Sequence, residues 1–218
     1  MHIIVYIHIC QIGEWKRSYQ MIMDSIQQSG LHNTAHEIRC GVLTDITIDR
    51  RFAENDPKIH IIYEGRPAEY ERPTLLHMRR SAESDPHDTQ YLYCHTKGIR
   101  WFDTPQEPYI VDWIKFMIYW NIERWINATD ILGKFDTYGC EYHDFSQLPR
   151  HYSGNFFWTT TYHLKTLTDF IGPEYNDPEF WLCSNGLLGG KPNVYNAFSS
   201  GLLGLDHYGI EIPEHAYR

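Results

Sequence analysis

Apolar positions along the chain follow two rhythms. Residues 2–9 are almost all β-branched or apolar, the mark of a strand buried on both faces. Residues 14–28 instead place Tyr19, Ile22, Met23 and Ile26 at helical spacing, and Gly30 supplies a stop. Further strands are predicted at 37–43, 58–63 and 90–94. A helix at 73–82 precedes the last of these, with Pro73 in its first turn. Strands alternating with helices predict an α/β fold: a mostly parallel central sheet flanked by helices.

The second half departs from this rhythm. Residues 110–126 form the longest helical stretch, about 25 Å at the standard rise. It is apolar on almost every side, from Val111 and Trp113 to Ile122 and Trp125, which predicts a buried position. Asp112, Lys115, Glu123 and Arg124 argue against a bilayer span. Strands are expected at 137–142 and 155–160, and helices at 162–170 and 177–184. From residue 185 onward Gly, Asn and Ser become frequent and predict surface loops. No repeat or linker interrupts the chain, so 1–218 reads as a single domain.

Composition narrows the function classes. Nineteen Lys and Arg stand against 28 Asp and Glu, a net charge of −9. So acidic a chain is a poor match for phosphate-rich nucleic acid. The 7 Trp, 16 Tyr and 10 Phe need a core, a binding cleft or both. Five cysteines without a CxxC pair predict reduced thiols and a cytoplasmic setting. The first apolar run is too short to cross a membrane and has no basic leader, so neither a membrane span nor a signal peptide is expected.

In open α/β sheets ligands bind beyond the carboxyl ends of strands. The strand at 90–94 is followed by His95-Thr96-Lys97-Gly98-Ile99-Arg100. Two cations beside a glycine in an acidic protein suit a diphosphate. A second constellation is His151-Tyr152-Ser153-Gly154-Asn155-Phe156-Phe157-Trp158, a small-residue turn running into rings that can stack on sugars, or else into a buried strand. A third is Asp177-Pro178-Glu179-Phe180-Trp181. Helix capping and the helix dipole account for Asp177 and Glu179 without any function. The 13 His show no HExxH spacing, and GxSxG, P-loop and GxGxxG patterns are missing from the sequence.

Taken in order, Tyr93-Cys94-His95-Thr96-Lys97-Gly98, Asp112-Trp113, Tyr138-Gly139-Cys140, the 151–158 segment and Asp177 to Trp181 resemble a family. It comprises small GT-A-like glycosyltransferases with HTKG and SGNFWW signatures, frequent in large DNA viruses of algae and in bacterial polysaccharide clusters. The resemblance runs from the first strand to about residue 185. It implies a GT-A-like (Rossmann-like) domain. Residues 1–100 would bind a nucleotide-sugar donor, a UDP-sugar by analogy with the class. Residues 101–218 would bind an oligosaccharide or glycoprotein acceptor. In that picture His8 and Ile9 end a strand beside the base, Thr74 lies along the nucleotide and Arg79 reaches a phosphate. His95, Thr96, Lys97, Gly98 and Arg100 hold the diphosphate. Ser153, Gly154, Asn155, Trp158 and Trp181 face the sugars. Glu179 falls at the place of the catalytic base of inverting members, with Asp177 in reserve.

One departure from the family bears on metal. An Asp-x-Asp pattern usually ends the fourth strand there and holds a divalent cation. Here the place reads His95-Thr96-Lys97. The expectation is therefore leaving-group stabilisation by Lys97 with Arg100, with no required manganese or magnesium and a weaker metal pair in His95 and His207. A retaining metal-dependent transferase and a catalytically silent sugar-binding module remain as alternatives. A metal-dependent hydrolase or nucleotidyltransferase would call for a tight carboxylate cluster, which the sequence does not show.

Overall fold

The structure is a computed structural model that describes residues 2–145 and 148–218. The first strand, β1 (His2–Cys10), has side chains buried along most of its length and occupies the middle of the sheet. β2 (Glu37–Leu43) and β4 (Thr89–His95) flank it in parallel, and β3 (Ile59–Gly65) lies outside β2. Helix α1 (Trp15–Gln28) and the single turn α2 (Leu31–Thr34) join β1 to β2, and α3 (Arg72–Ser84) joins β3 to β4. The mostly parallel α/β arrangement predicted from periodicity is thus what the chain adopts.

Beyond β4 the chain runs through α4 (Glu107–Ile118), a π turn (Tyr119–Glu123) and α5 (Trp125–Ile131). It returns as β5 (Thr137–Gly139), the small hairpin β6 (Tyr142–His143) and β7 (His151–Tyr152), and β8 (Phe157–Thr160). Helices α6 (Thr161–Thr166) and α7 (Asp177–Trp181) precede the last strand, β9 (Val194–Asn196). The seven-stranded order is β3-β2-β1-β4-β8-β5-β9, with β8 antiparallel to both its neighbours. Side chains alternate across β1. Ile3, Val5, Ile7 and Ile9 pack under α1 and α4, whereas Ile4 and Tyr6 pack under α3 and α6. His8 shares the face of Tyr6.

Four expectations shift. The helix expected at 110–126 is broken by the π turn, which leaves the Asn121 carbonyl free to accept the Trp158 indole N–H at 2.6 Å. The strand expected over 137–142 stops at Gly139, because Glu141 turns the backbone to φ 55°. Helix α6 ends at Thr166 rather than at 170, and Leu167 turns extended with its carbonyl taken by the Arg79 guanidinium. The expected loop region holds β9. Backbone N–H of Asp136 donates to Asn193 O at 2.8 Å, and the Asp136 carboxylate accepts from Asn193 N at 2.7 Å. Tyr138 and Tyr195 then stack 5.6 Å apart.

All five cysteines are free, and four of them are buried. No helix among the described residues is long and apolar enough to cross a membrane.

Candidate functional site

A cleft of about 380 Å³ opens where β1 and β4 end. β1 contributes His8 and Cys10. The end of β4 and the segment after it contribute everything from His95 to Trp101. Leu43 ends β2 on one side, and Pro67, Tyr70 and Glu71 lead into α3. The other wall carries Asn155, Tyr175, Asn176, Glu179 and Tyr208. Ligand sites form at this edge of parallel sheets because strand ends and loops converge there.

The floor is tied together beyond the last paired residues. Thr96 donates its N–H to His8 O at 2.9 Å, and its hydroxyl accepts the Cys10 N–H at 3.0 Å. Lys97 donates its backbone N–H to the Ser18 hydroxyl at 3.0 Å, which points the following turn over the cleft. The Lys97 ammonium rests 4.2 Å from the Trp113 ring centroid, a cation–π contact. Gly98 lies at φ +69° against Ile110, and a Cβ there would stand 2.2 Å from the Ile110 side chain. Arg100 is exposed at the rim.

The carboxylates are held from the opposite side. Glu71 accepts from Tyr93 OH at 2.7 Å and Asn155 Nδ2 at 2.6 Å, and its other oxygen lies 3.8 Å from His95 Nδ1. Burial pushes its pKa up, but His95, His8 and the Tyr93 bond outweigh burial and hold it below the ordinary range. His95 pairs through Nε2 with Gly154 O at 3.0 Å. Glu179 accepts the Gly154 N–H at 2.7 Å. One tight turn, closed by Asn155 N–H to Tyr152 O at 3.0 Å, is thus gripped by both walls. Gly154 sits at φ +89°, and a Cβ there would lie 2.3 Å from Met117 Sδ. His8 is buried, bonded to the Thr74 hydroxyl at 2.8 Å, and burial lowers its pKa to about 4, so it is neutral. Burial likewise pushes the Cys10 thiol up to about 11.

The cleft brings together His8, His95, Thr96, Lys97, Gly98, Arg100, Asn155 and Glu179 of the expected residues. Gly154 joins through its backbone. Others stand elsewhere. Ile9 alternates to the opposite face of β1 and belongs to the core under α1. Thr74 is fully buried beneath the cleft and supports His8, where Gly41 leaves it room: a Cβ on Gly41 would stand 2.0 Å from its hydroxyl. Arg79 does not reach a phosphate. It is buried toward α6, donating Nε–H to Leu167 O at 2.6 Å and pairing with Glu83 at 2.9 Å. Ser153 is buried, its N–H bonded to Glu141 O.

The expected sugar-facing rings are core instead. Trp158 is fully buried, Trp181 is 4% exposed with its indole N–H on Thr168 O, and Phe156 and Phe157 are equally enclosed. Phe180 packs edge-on against His151. Asp177 is not the N-cap of α7, a place taken by Asn176. Its carboxylate folds back to accept the Glu174 N–H at 2.7 Å, away from the cleft. His207 is fully buried and stacked on Trp113 at 4.4 Å, 3.8 Å from the buried Glu141. The Nε2 of His95 is committed to Gly154 O. Among the described residues no group of three or more His, Cys, Asp or Glu is arranged to hold a metal ion.

The rings that do reach the cleft are Tyr70, Trp101, Tyr175 and Tyr208, which the sequence reading passed over. They come from irregular segments with no periodicity to mark them, and their one signal is a large ring amid polar neighbours. Together the walls can hold an anion at one place, accept a proton at another and stack flat rings at the rim. Comparison with known protein families finds no match, and none is found among curated proteins.

Proposed function

We propose that the chain is a GT-A-like glycosyltransferase that moves a sugar from a nucleotide-sugar donor, a UDP-sugar, to a glycan hydroxyl with inversion. The carrying observation is the Glu179 carboxylate, fixed at 2.7 Å by the Gly154 N–H, in the same cleft that presents Lys97 and Arg100. An acceptor hydroxyl delivers its proton to Glu179 as its oxygen attacks the anomeric carbon. The sugar–phosphate bond breaks on the far side, and the departing nucleoside diphosphate is stabilised by Lys97 and Arg100. His8 and Cys10, at the end of β1, line the nucleoside end beside Leu43. On this reading Lys97 and Arg100 supply the charge stabilisation, with no obligatory manganese or magnesium.

The test is a panel of nucleotide sugars and nucleoside diphosphates, with and without manganese, read by melting temperature and by sugar transfer. A ligand bound only to the folded state raises the melting temperature. Glu179→Gln keeps an acceptor oxygen for Gly154, so it should retain the UDP-induced rise and lose transfer. Near-wild-type turnover in that variant overturns the base. Lys97→Ala should lose most of the UDP-induced rise. Activity that vanishes in chelator and returns with manganese overturns the metal-independent form of the reading.

A further inference from the structure

We infer that Trp101 and Tyr208 form a stacking platform for a sugar ring of a neutral glycan acceptor, beside Glu179. The inference rests on the glycosyl-transfer reading and names the acceptor class for that site.

Trp101 is 41% exposed, whereas Trp15, Trp113, Trp125, Trp158 and Trp181 are all buried. It stands in the wall of the cleft, with part of its ring open to solvent. Its backbone is fixed: the Trp101 main-chain N–H donates to Gly98 O at 2.8 Å and its carbonyl accepts from the Thr104 hydroxyl at 2.6 Å. Tyr208 meets it edge-on, with centroids 5.6 Å apart at 62°. Tyr208 in turn stands 5.6 Å from Trp113, on a 3-10 turn (Asp206–Tyr208) anchored by the His207–Trp113 stack. The pair therefore presents a ring face and a phenol hydroxyl without further ordering, which favours binding.

Position and charge choose the occupant. The sheet order runs β2-β1-β4-β8. Leu43 and Cys10 close the β2–β1 side, while Trp101 follows β4 and Asn155 leads into β8. The platform therefore stands on the Glu179 side, away from the nucleoside end. Burial and the nearby Glu179 push the Tyr208 phenol up, so it stays a hydrogen-bond donor. The Asn155 side-chain oxygen and the Asn176 amide supply neutral partners for hydroxyls, and Glu179 disfavours an acidic sugar on this side once Lys97 and Arg100 are taken by the donor diphosphate. A pyranose offers what this wall lacks: a flat C–H face for the indole and hydroxyls for the amides and carboxylate.

The experiment uses the full chain on an array of neutral and acidic glycans, with no donor present. Wild type should retain neutral glycans. Trp101→Ala and Tyr208→Ala should weaken retention at least tenfold, and Trp101→Phe, which keeps a ring, by threefold or less. The UDP-induced melting shift should be unchanged in Trp101→Ala, which also shows that the variant folds. Three results overturn the inference: no neutral glycan retained by wild type, unchanged retention in Trp101→Ala, or loss of the UDP shift in that variant. Retention needs no turnover, so an active Glu179→Gln would strike the catalytic reading and leave this one standing.

Discussion

Arg72, in the first turn of α3, donates its Nε–H to the carbonyl of Gly172 at 2.6 Å. A second arm of the same guanidinium reaches Glu174 O, and the group lies 5.3 Å from the Tyr70 ring, itself edge-on to Tyr175 at 5.2 Å. Five-residue α7, which carries Glu179, is too short to be stable alone. The fork of Arg72 holds the segment that leads into it.

Arg72→Lys keeps the charge but loses the planar fork. It should lower kcat about tenfold or more, since a small displacement of a base is expensive. The UDP-induced melting shift, which reads the other end of the cleft, should stay. Equal kcat in wild type and Arg72→Lys would show that the clamp does not position Glu179.

Gly154→Ala should be among the most harmful single changes. Its φ of +89° disfavours any Cβ by about 1–2 kcal/mol, and the new methyl would collide with Met117 and Trp113. The same turn donates to Glu179, so chemical denaturation and transfer rate should fall together. Retained stability with retained rate would contradict the packing described.

Acid should unfold the protein through its buried histidines. His8 and His207 both have pKa values lowered to about 4 by burial, against 6.5 in an unfolded chain. Between those values the unfolded chain binds protons that the native state refuses, so stability is full above pH 6.5 and falls with pH. Each histidine should remove roughly 2 kcal/mol by pH 5. His207→Phe, which keeps a ring on Trp113, should lose less stability between pH 7 and pH 5 than wild type in urea titrations. An equal loss would assign the acid sensitivity to other groups.

Trp158→Phe tests the corrected place of that ring. It strands the Asn121 carbonyl, at about 1–3 kcal/mol, and opens space in the core. The denaturation midpoint should drop while neutral-glycan retention per folded molecule stays the same. Loss of glycan binding at unchanged stability would return Trp158 to the site.

What the sequence revealed depended on how local the signal was. β1 was plain because both its faces are buried, and the turn from His95 to Arg100 because cations are scarce in an acidic chain. Glu179 came only from the resemblance, since a first-turn acid is ordinary. The inward turn of Trp158 and Trp181 is not legible, because a ring in a strand or helix looks the same whichever way it points. Nor is the place of Arg79, whose partner, the Leu167 carbonyl, is 88 residues away. β9 is invisible locally because its pairing partner β5 lies far back along the chain, and three residues carry no period of their own.

The π turn at Tyr119–Glu123 explains why the helical stretch read as apolar on every side. At about 100° per residue, the buried positions of α5, such as Trp125 and Ala128, run ahead in angle of those of α4, such as Ile110, Trp113 and Met117. A strictly α-helical rod would carry two apolar stripes out of phase, only one of them facing the sheet. The wider turn takes back roughly one residue of rotation and brings the two stripes onto a common side. The turn is thus a phase corrector. Deleting one residue from it would give a regular helix of the same phase, keeping Trp125, whose indole N–H reaches Ser29 O at 3.0 Å, against α1 but taking from Trp158 the carbonyl that the wide turn leaves free.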